Sequence, residues 1–186
     1  MPTAILRPTS TTSQTGWNAS TIHTVLGDDD DTTSATQNNI TCNFTGVLSD
    51  LDSGLSGATI NSFTISLIGK AGRAGASTVE MSLIHSSDGA FAAENESFTG
   101  SKSTQTTSAR TTQQDGSSAL TFAYMNDCSV KIDPNTQGTK AMELFVTVDY
   151  TAAASGYGNA VNSVASANIG KIDGVETANI EKVIGV

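Results

Sequence analysis

Three stretches of this chain alternate apolar and polar residues with a period of two. Met142–Tyr150 sets Met142, Leu144, Val146, Val148 and Tyr150 against Glu143, Phe145, Thr147 and Asp149. Thr59–Ile68 places Phe63, Ile65 and Leu67 on one side, and Thr78–Ile84 does the same with Val79, Met81 and Leu83. A shorter run, Ile40–Val47, opposes Ile40, Cys42 and Phe44 to Thr41, Asn43 and Thr45. Successive side chains of a strand point to opposite faces, so this period specifies strands with one buried face. Phe63, Ile65, Leu67, Val79, Met81, Leu83, Leu144, Val146 and Val148 are the expected core. The second and third runs flank the turn Gly69–Gly75 and read as an antiparallel hairpin.

No helical period competes with this pattern. Charged residues make up only 15% of the chain, against about a quarter in ordinary domains, and the strong helix formers among them are correspondingly scarce. Thr3–Leu6, Ile22–Leu26, Phe91–Phe98, a segment within Thr99–Ser118, Ala119–Asn126 and Ser129–Ile132 read as further strands. Thr9–Thr15 reads as polar linker, and Trp17 as a core plug or strand-end anchor. Seven or eight short strands imply an all-β chain, a jelly-roll-like antiparallel β-sandwich with a short C-terminal extension. The 186 residues divide into an N-terminal arm or edge strand (1–15), a β-sandwich (16–152) and the extension (153–186).

The extension repeats. Ser166–Val175 reads SANIGKIDGV and Thr177–Val186 reads TANIEKVIGV, the same unit after 11 residues. Two copies are too few to stack into a core of their own. Asp173-Gly174, between Gly170–Ile172 and Val175–Thr177, is a hairpin signal. Ile169, Ile172, Val175, Ile180, Val183, Ile184 and Val186 are aliphatics in need of a surface, and are the expected partner-binding residues.

Residue patterns that carry chemistry are sparse. His23 and His85 stand alone in their segments, without metal-ligand spacing, and no Gly-x-Ser-x-Gly elbow marks a nucleophile. Gly69–Gly75 carries Lys70 and Arg73 but matches no phosphate-binding spacing, and a strand rather than a helix follows it. Asp28–Asp31 lacks the alternating ligands of a calcium loop and reads as a solvated charge run. Cys42 and Cys128 allow one disulfide, but two cysteines so far apart define no framework, and the favoured reading is two buried free thiols. No catalytic residue, cofactor or metal is expected. The formal net charge is −9, and Met1–Tyr150 carries seven basic and fifteen acidic residues, a net of −8. That balance opposes a nucleic-acid role, which needs clustered Lys and Arg. No stretch approaches the roughly 20 apolar residues of a membrane span, and no apolar h-region follows Met1–Arg7, so no membrane or secretory role is expected.

The chain resembles β-sandwich domains in virion proteins of tailed bacteriophages. The resemblance is carried by Leu6-Arg7-Pro8-Thr9 with Gly16-Trp17, by the acidic stretch at Asp28–Asp31, and by Ala119-Leu120-Thr121 before Asn126-Asp127-Cys128-Ser129-Val130. Phe145-Val146-Thr147-Val148-Asp149-Tyr150 and the two Ile-x-Lys-Ile/Val-x-Gly-Val units extend it. It implies a non-enzymatic virion component, decorating or cementing the capsid or belonging to the neck or tail, made in the host cytoplasm. Its partners would be other virion proteins or copies of itself in an oligomer. The alternative is a carbohydrate- or host-receptor-binding β-sandwich of a fibre or adhesin.

Overall fold

A computed structural model describes residues 1–39, 41–72, 75–153, 171–172 and 175–176. Along the chain run β1 (Thr3–Leu6), β2 (Pro8–Thr15), helix α1 (Ile22–Leu26), β3 (Ala35–Thr36) and β4 (Asn43–Leu48). The long strands β5 (Thr59–Lys70) and β6 (Ser77–His85) follow, then β7 (Gly89–Ala90), β8 (Glu94–Phe98) and β9 (Ser103–Thr106). Helix α2 (Phe122–Asn126), β10 (Cys128–Pro134) and β11 (Lys140–Thr151) complete a compact unit of Met1–Thr151. A second unit, Ala152–Val186, contains β12 (Lys171–Ile172) paired antiparallel with β13 (Val175–Glu176). That pairing puts Ile172 opposite Val175, as expected of two strands joined through Asp173-Gly174.

In the first unit all strand pairs are antiparallel and form two sheets. One sheet has the order β1-β11-β5-β9, with β3 also on β11; the other has β2-β4-β10-β6-β7, with β8 also on β6. The chain changes sheet at every step between strands except β6 to β7 to β8. Taking β1-β11-β5-β9 against β4-β10-β6-β8, this is the jelly-roll connection of a two-sheet sandwich. All nine expected core residues are buried. They form one cluster with Leu6, Phe44, Phe98, Val130 and Ile132, so the two inner faces share a single core.

Several expectations from the sequence are corrected. β5 and β6 are not a hairpin: β5 bonds β11 and β9, while β6 bonds β10, β7 and β8. Their inward rows face each other across the core instead of pairing edge to edge, which alternation alone does not distinguish. The connection between them passes close to the turn before β11. A Cβ on Gly72 would stand 1.5 Å from the Gly138 carbonyl oxygen, so only glycine fits there.

Ile22–Leu26 is a helix because Ile22 and Leu26 are buried at i and i+4, with Val25 packed on the same side. As a strand it would have turned Val25 away. Ala119–Asn126 is not a strand either. Its Thr121 side chain accepts a hydrogen bond from Tyr124 N and starts α2, which buries Tyr124 and Met125. Thr9–Thr15 is not linker but most of β2, whose polar side chains lie at a sheet edge. Trp17 does anchor a strand end, its indole N–H donating to Asn43 O at 2.9 Å while the ring packs on the core.

Leu144→Ala removes a fully buried side chain at the centre of the inner face and is expected to cost about 2–5 kcal/mol. Thr147→Ala, half-buried on the other face, is expected to change stability by about 0.5 kcal/mol or less. Denaturant unfolding of the two variants compares the faces directly. Equal losses would mean that the inner face is misassigned.

Candidate functional site

Strand register brings together titratable groups that are far apart in sequence. His85, at the end of β6, lies opposite Cys128 at the start of β10. Both are buried, and α2 lies immediately before Cys128 in the chain. The imidazole stacks on the Tyr124 ring with centroids 3.8 Å apart and planes 6° apart. Its Nδ1 lies 3.2 Å from Asp88 Oδ2 and 3.3 Å from the Asp88 amide nitrogen. The Cys128 thiol donates to Tyr124 O at 3.2 Å.

A thiol, an imidazole and a carboxylate in one place invite a nucleophilic reading, which requires thiolate character. Burial acts against it, pushing the Cys128 thiol up to about 12, with the charges of Asp127 and Asp88 adding to the effect. Cys42 is likewise pushed up to about 12, first by burial and then by Asp133. Burial also raises the Tyr124 phenol. The thiol points to a backbone carbonyl, and the cluster serves as packing under α2. Both cysteines are free, as the sequence suggests.

A small pocket opens between the sheets beside Phe63, Met81, Phe91, Glu94 and Arg110, with space for about one water molecule. Its rim is already satisfied. Arg110 donates to Ala92 O at 3.0 Å and Glu94 Oε1 at 2.9 Å, and Ser108 N donates to Glu94 Oε2 at 2.8 Å. Partial burial works to raise the Glu94 pKa, but these bonds outweigh it and leave the carboxyl lowered. Among the described residues no group of three or more His, Cys, Asp or Glu is placed to hold a metal ion, and no helix is long and apolar enough to cross a membrane.

The Asp28–Asp31 run is built into a shaped loop. Asp28 accepts from Asp30 N and from Thr33 Oγ1, and Asp29 sits at φ +59°, a left-handed conformation that Asp tolerates. Hydrogen bonds from Thr32 hold the Asp30 carboxyl below its ordinary range. Two of the four carboxylates reach cations: Asp29 Oδ1 is 2.5 Å from Arg7, and Asp31 Oδ2 is 2.8 Å from Lys102. Arg7 also pairs with Glu143 and lies over the Phe145 ring. The sequence reading of a freely solvated run missed these partners, because they come from β1–β2 and the approach to β9.

Of the expected partner-binding residues, Ile172 and Val175 fall in the β12–β13 pair. Ile169, Ile180, Val183, Ile184 and Val186 lie outside the described residues.

No family model and no curated protein matches the sequence. Among solved structures the chain is similar to a CBM35 from Paenibacillus barcinonensis, at 11% identity and a TM-score of 0.40, over 82% of this chain and 100% of that one. A likeness of that size carries no argument about ligand or partner.

The buried thiols yield a direct expectation. In the native protein at about pH 8, Cys42 and Cys128 should resist an aromatic disulfide reagent, and both should react once the chain is unfolded. The folded state keeps protons that an unfolded thiol, with its ordinary value of 9.0, releases. Stability should therefore be unaffected by these groups below about pH 9 and fall as pH rises toward 12. Fast native labelling would show the pair to be accessible and reactive.

Proposed function

We propose that this chain is a non-enzymatic structural protein of a tailed-phage virion, acting through subunit contacts made by its C-terminal extension. The observation that carries the reading is the division at Thr151/Ala152 into two compact units. The first unit contains a single hydrophobic core, closed by two sheets and two short helices. The second holds the repeated aliphatics, seven between Ile169 and Val186. Each is worth about 1.5–3 kcal/mol when fully buried. Ordering the segment costs about 1–2 kcal/mol per residue of backbone, so a productive contact has to be extensive. The resemblance to virion β-sandwiches supplies the setting: a particle in which capsid decoration, neck or tail subunits are held by neighbours.

The sugar-binding alternative draws less support. Sugar platforms want an exposed ring face, and the aromatic rings of the described residues are all buried or half-buried. A non-enzymatic role is favoured by the high thiol pKa values and by a pocket rim whose polar groups are already paired.

Deleting Asn159–Val186 is expected to leave a folded sandwich that unfolds cooperatively but no longer assembles, measured by light scattering beside the full chain. Mass spectrometry of purified particles is expected to find the protein in them. Loss of folding on truncation would assign the extension to the sandwich core, and unchanged assembly would remove its role as connector. Absence from particles would end the virion reading.

A further inference from the structure

The outer face of the β1-β11-β5-β9 sheet carries a row of cations at one end. Lys140 of β11 lies directly opposite Lys70 of β5. Ser103 of β9 lies opposite Gly69, and Lys102 precedes it, so the chain sets Lys102 beside Lys70. Inward-facing Gly69 and Ala141 are buried while Lys70 and Lys140 are half-buried, which places the lysines on the outer face. Arg7 stands on the same face over Phe145 and pairs with Glu143, which is only 7% exposed although it points outward.

Like charges directly opposite on paired strands are destabilising. Here they persist in a unit of net charge −8. Among the described basic residues of that unit, Arg7, Lys102, Arg110 and Lys131 all make ion pairs, whereas Lys70 and Lys140 make none. The acidic loop approaches this row from both ends, Asp29 bonding Arg7 and Asp31 bonding Lys102. The loop leads into β3, whose Thr36 is the other cross-strand neighbour of Lys140.

We propose that the basic row Lys140–Lys70–Lys102, with Arg7 further along β11 on the same face, is a docking surface for an acidic segment of a partner protein, and that the chain's own Asp28–Asp31 loop is a latch competing for it. The loop shows what the row accepts: closely spaced carboxylates, Asp29 on Arg7 and Asp31 on Lys102. Asp29 is 75% exposed and its ion pair lies at the surface, so the latch is held weakly and yields to a longer acidic chain. Contact between exposed charges also makes the latch sensitive to salt. The inference stands apart from the role of the extension, which plays no part in it.

The test uses the full chain and a fluorescent poly-aspartate peptide at low salt. The Asp29→Asn/Asp31→Asn variant should bind the peptide about tenfold more tightly than the native protein, and binding should fade by about 0.5 M salt. Adding Lys70→Gln/Lys140→Gln should abolish the gain, with melting curves confirming that each variant is folded. Amides of residues 28–34 should exchange faster in Lys102→Gln than in the native protein. No gain on releasing the loop, or a gain indifferent to Lys70 and Lys140, would overturn the proposal. Equal binding of a single-stranded DNA probe would overturn the acidic-protein partner in favour of a general polyanion surface. Failure of the truncation to alter assembly would leave all of these readouts intact.

Discussion

The ladder between β5 and β11 is the interaction on which the sandwich depends. It runs from Lys140 opposite Lys70 to Thr151 opposite Thr59, interrupted by two irregularities. β1, β3 and β9 each bond only to one of these two strands. The ladder also sets which residues face inward, because a register slip of one would turn an entire row to the other side. Val146 opposite Ile65 and Leu144 opposite Leu67 put paired large aliphatics on the same face. The second sheet, with Met81 opposite Ile132 and Leu83 opposite Val130, presents a matching surface. Two such faces can be removed from water only by each other.

Edges and ends are where this arrangement needs additional parts. The N-terminal strand switches sheets within one residue: Leu6 still pairs with Val146, whereas Pro8 already pairs with Leu48. Arg7 sits at that crossing, and its Glu143, Asp29 and Phe145 contacts tie the crossing to β11 and to the loop after α1. Pro8 suits the position, since a strand's first residue tolerates a missing N–H. Helix α1 contributes Ile22 and Leu26 to the core, and α2 contributes Met125 and Tyr124. Both helices have only five residues, too short to be stable alone, so they exist by what they bury.

That dependence explains how much of the fold could be read in advance. Long strands with one buried face declare themselves, and β4, β5, β6, β10 and β11 lie close to where alternation puts them. Five-residue helices such as IHTVL offer too few positions to separate a period of 3.6 from a period of two. β2, PTSTTSQT, has no apolar row because it lies at an edge, and its strand character comes from partners rather than from its own burial. Sheet membership is likewise a tertiary property. Nothing within Thr59–Ile84 says whether its two strands lie side by side or face to face. The meeting of His85 with Cys128 was hidden for the same reason, being produced by pairing across 43 residues of sequence.

Among the described residues the two sheets enclose few ionisable groups, and burial keeps both thiols protonated. Glu143, buried although it lies on the outer face of β11, is paired with Arg7. In the proposed reading, recognition falls outside the core, to the basic residues on one outer face and to the aliphatics after Thr151. These are different kinds of contact. Exposed ion pairs steer encounter and set register but add little affinity, whereas buried aliphatics add affinity with little direction. A subunit of the proposed kind, which has to find one position among many neighbours, would benefit from both kinds on separate parts of its chain. Charge can then choose the site before apolar burial makes the contact last.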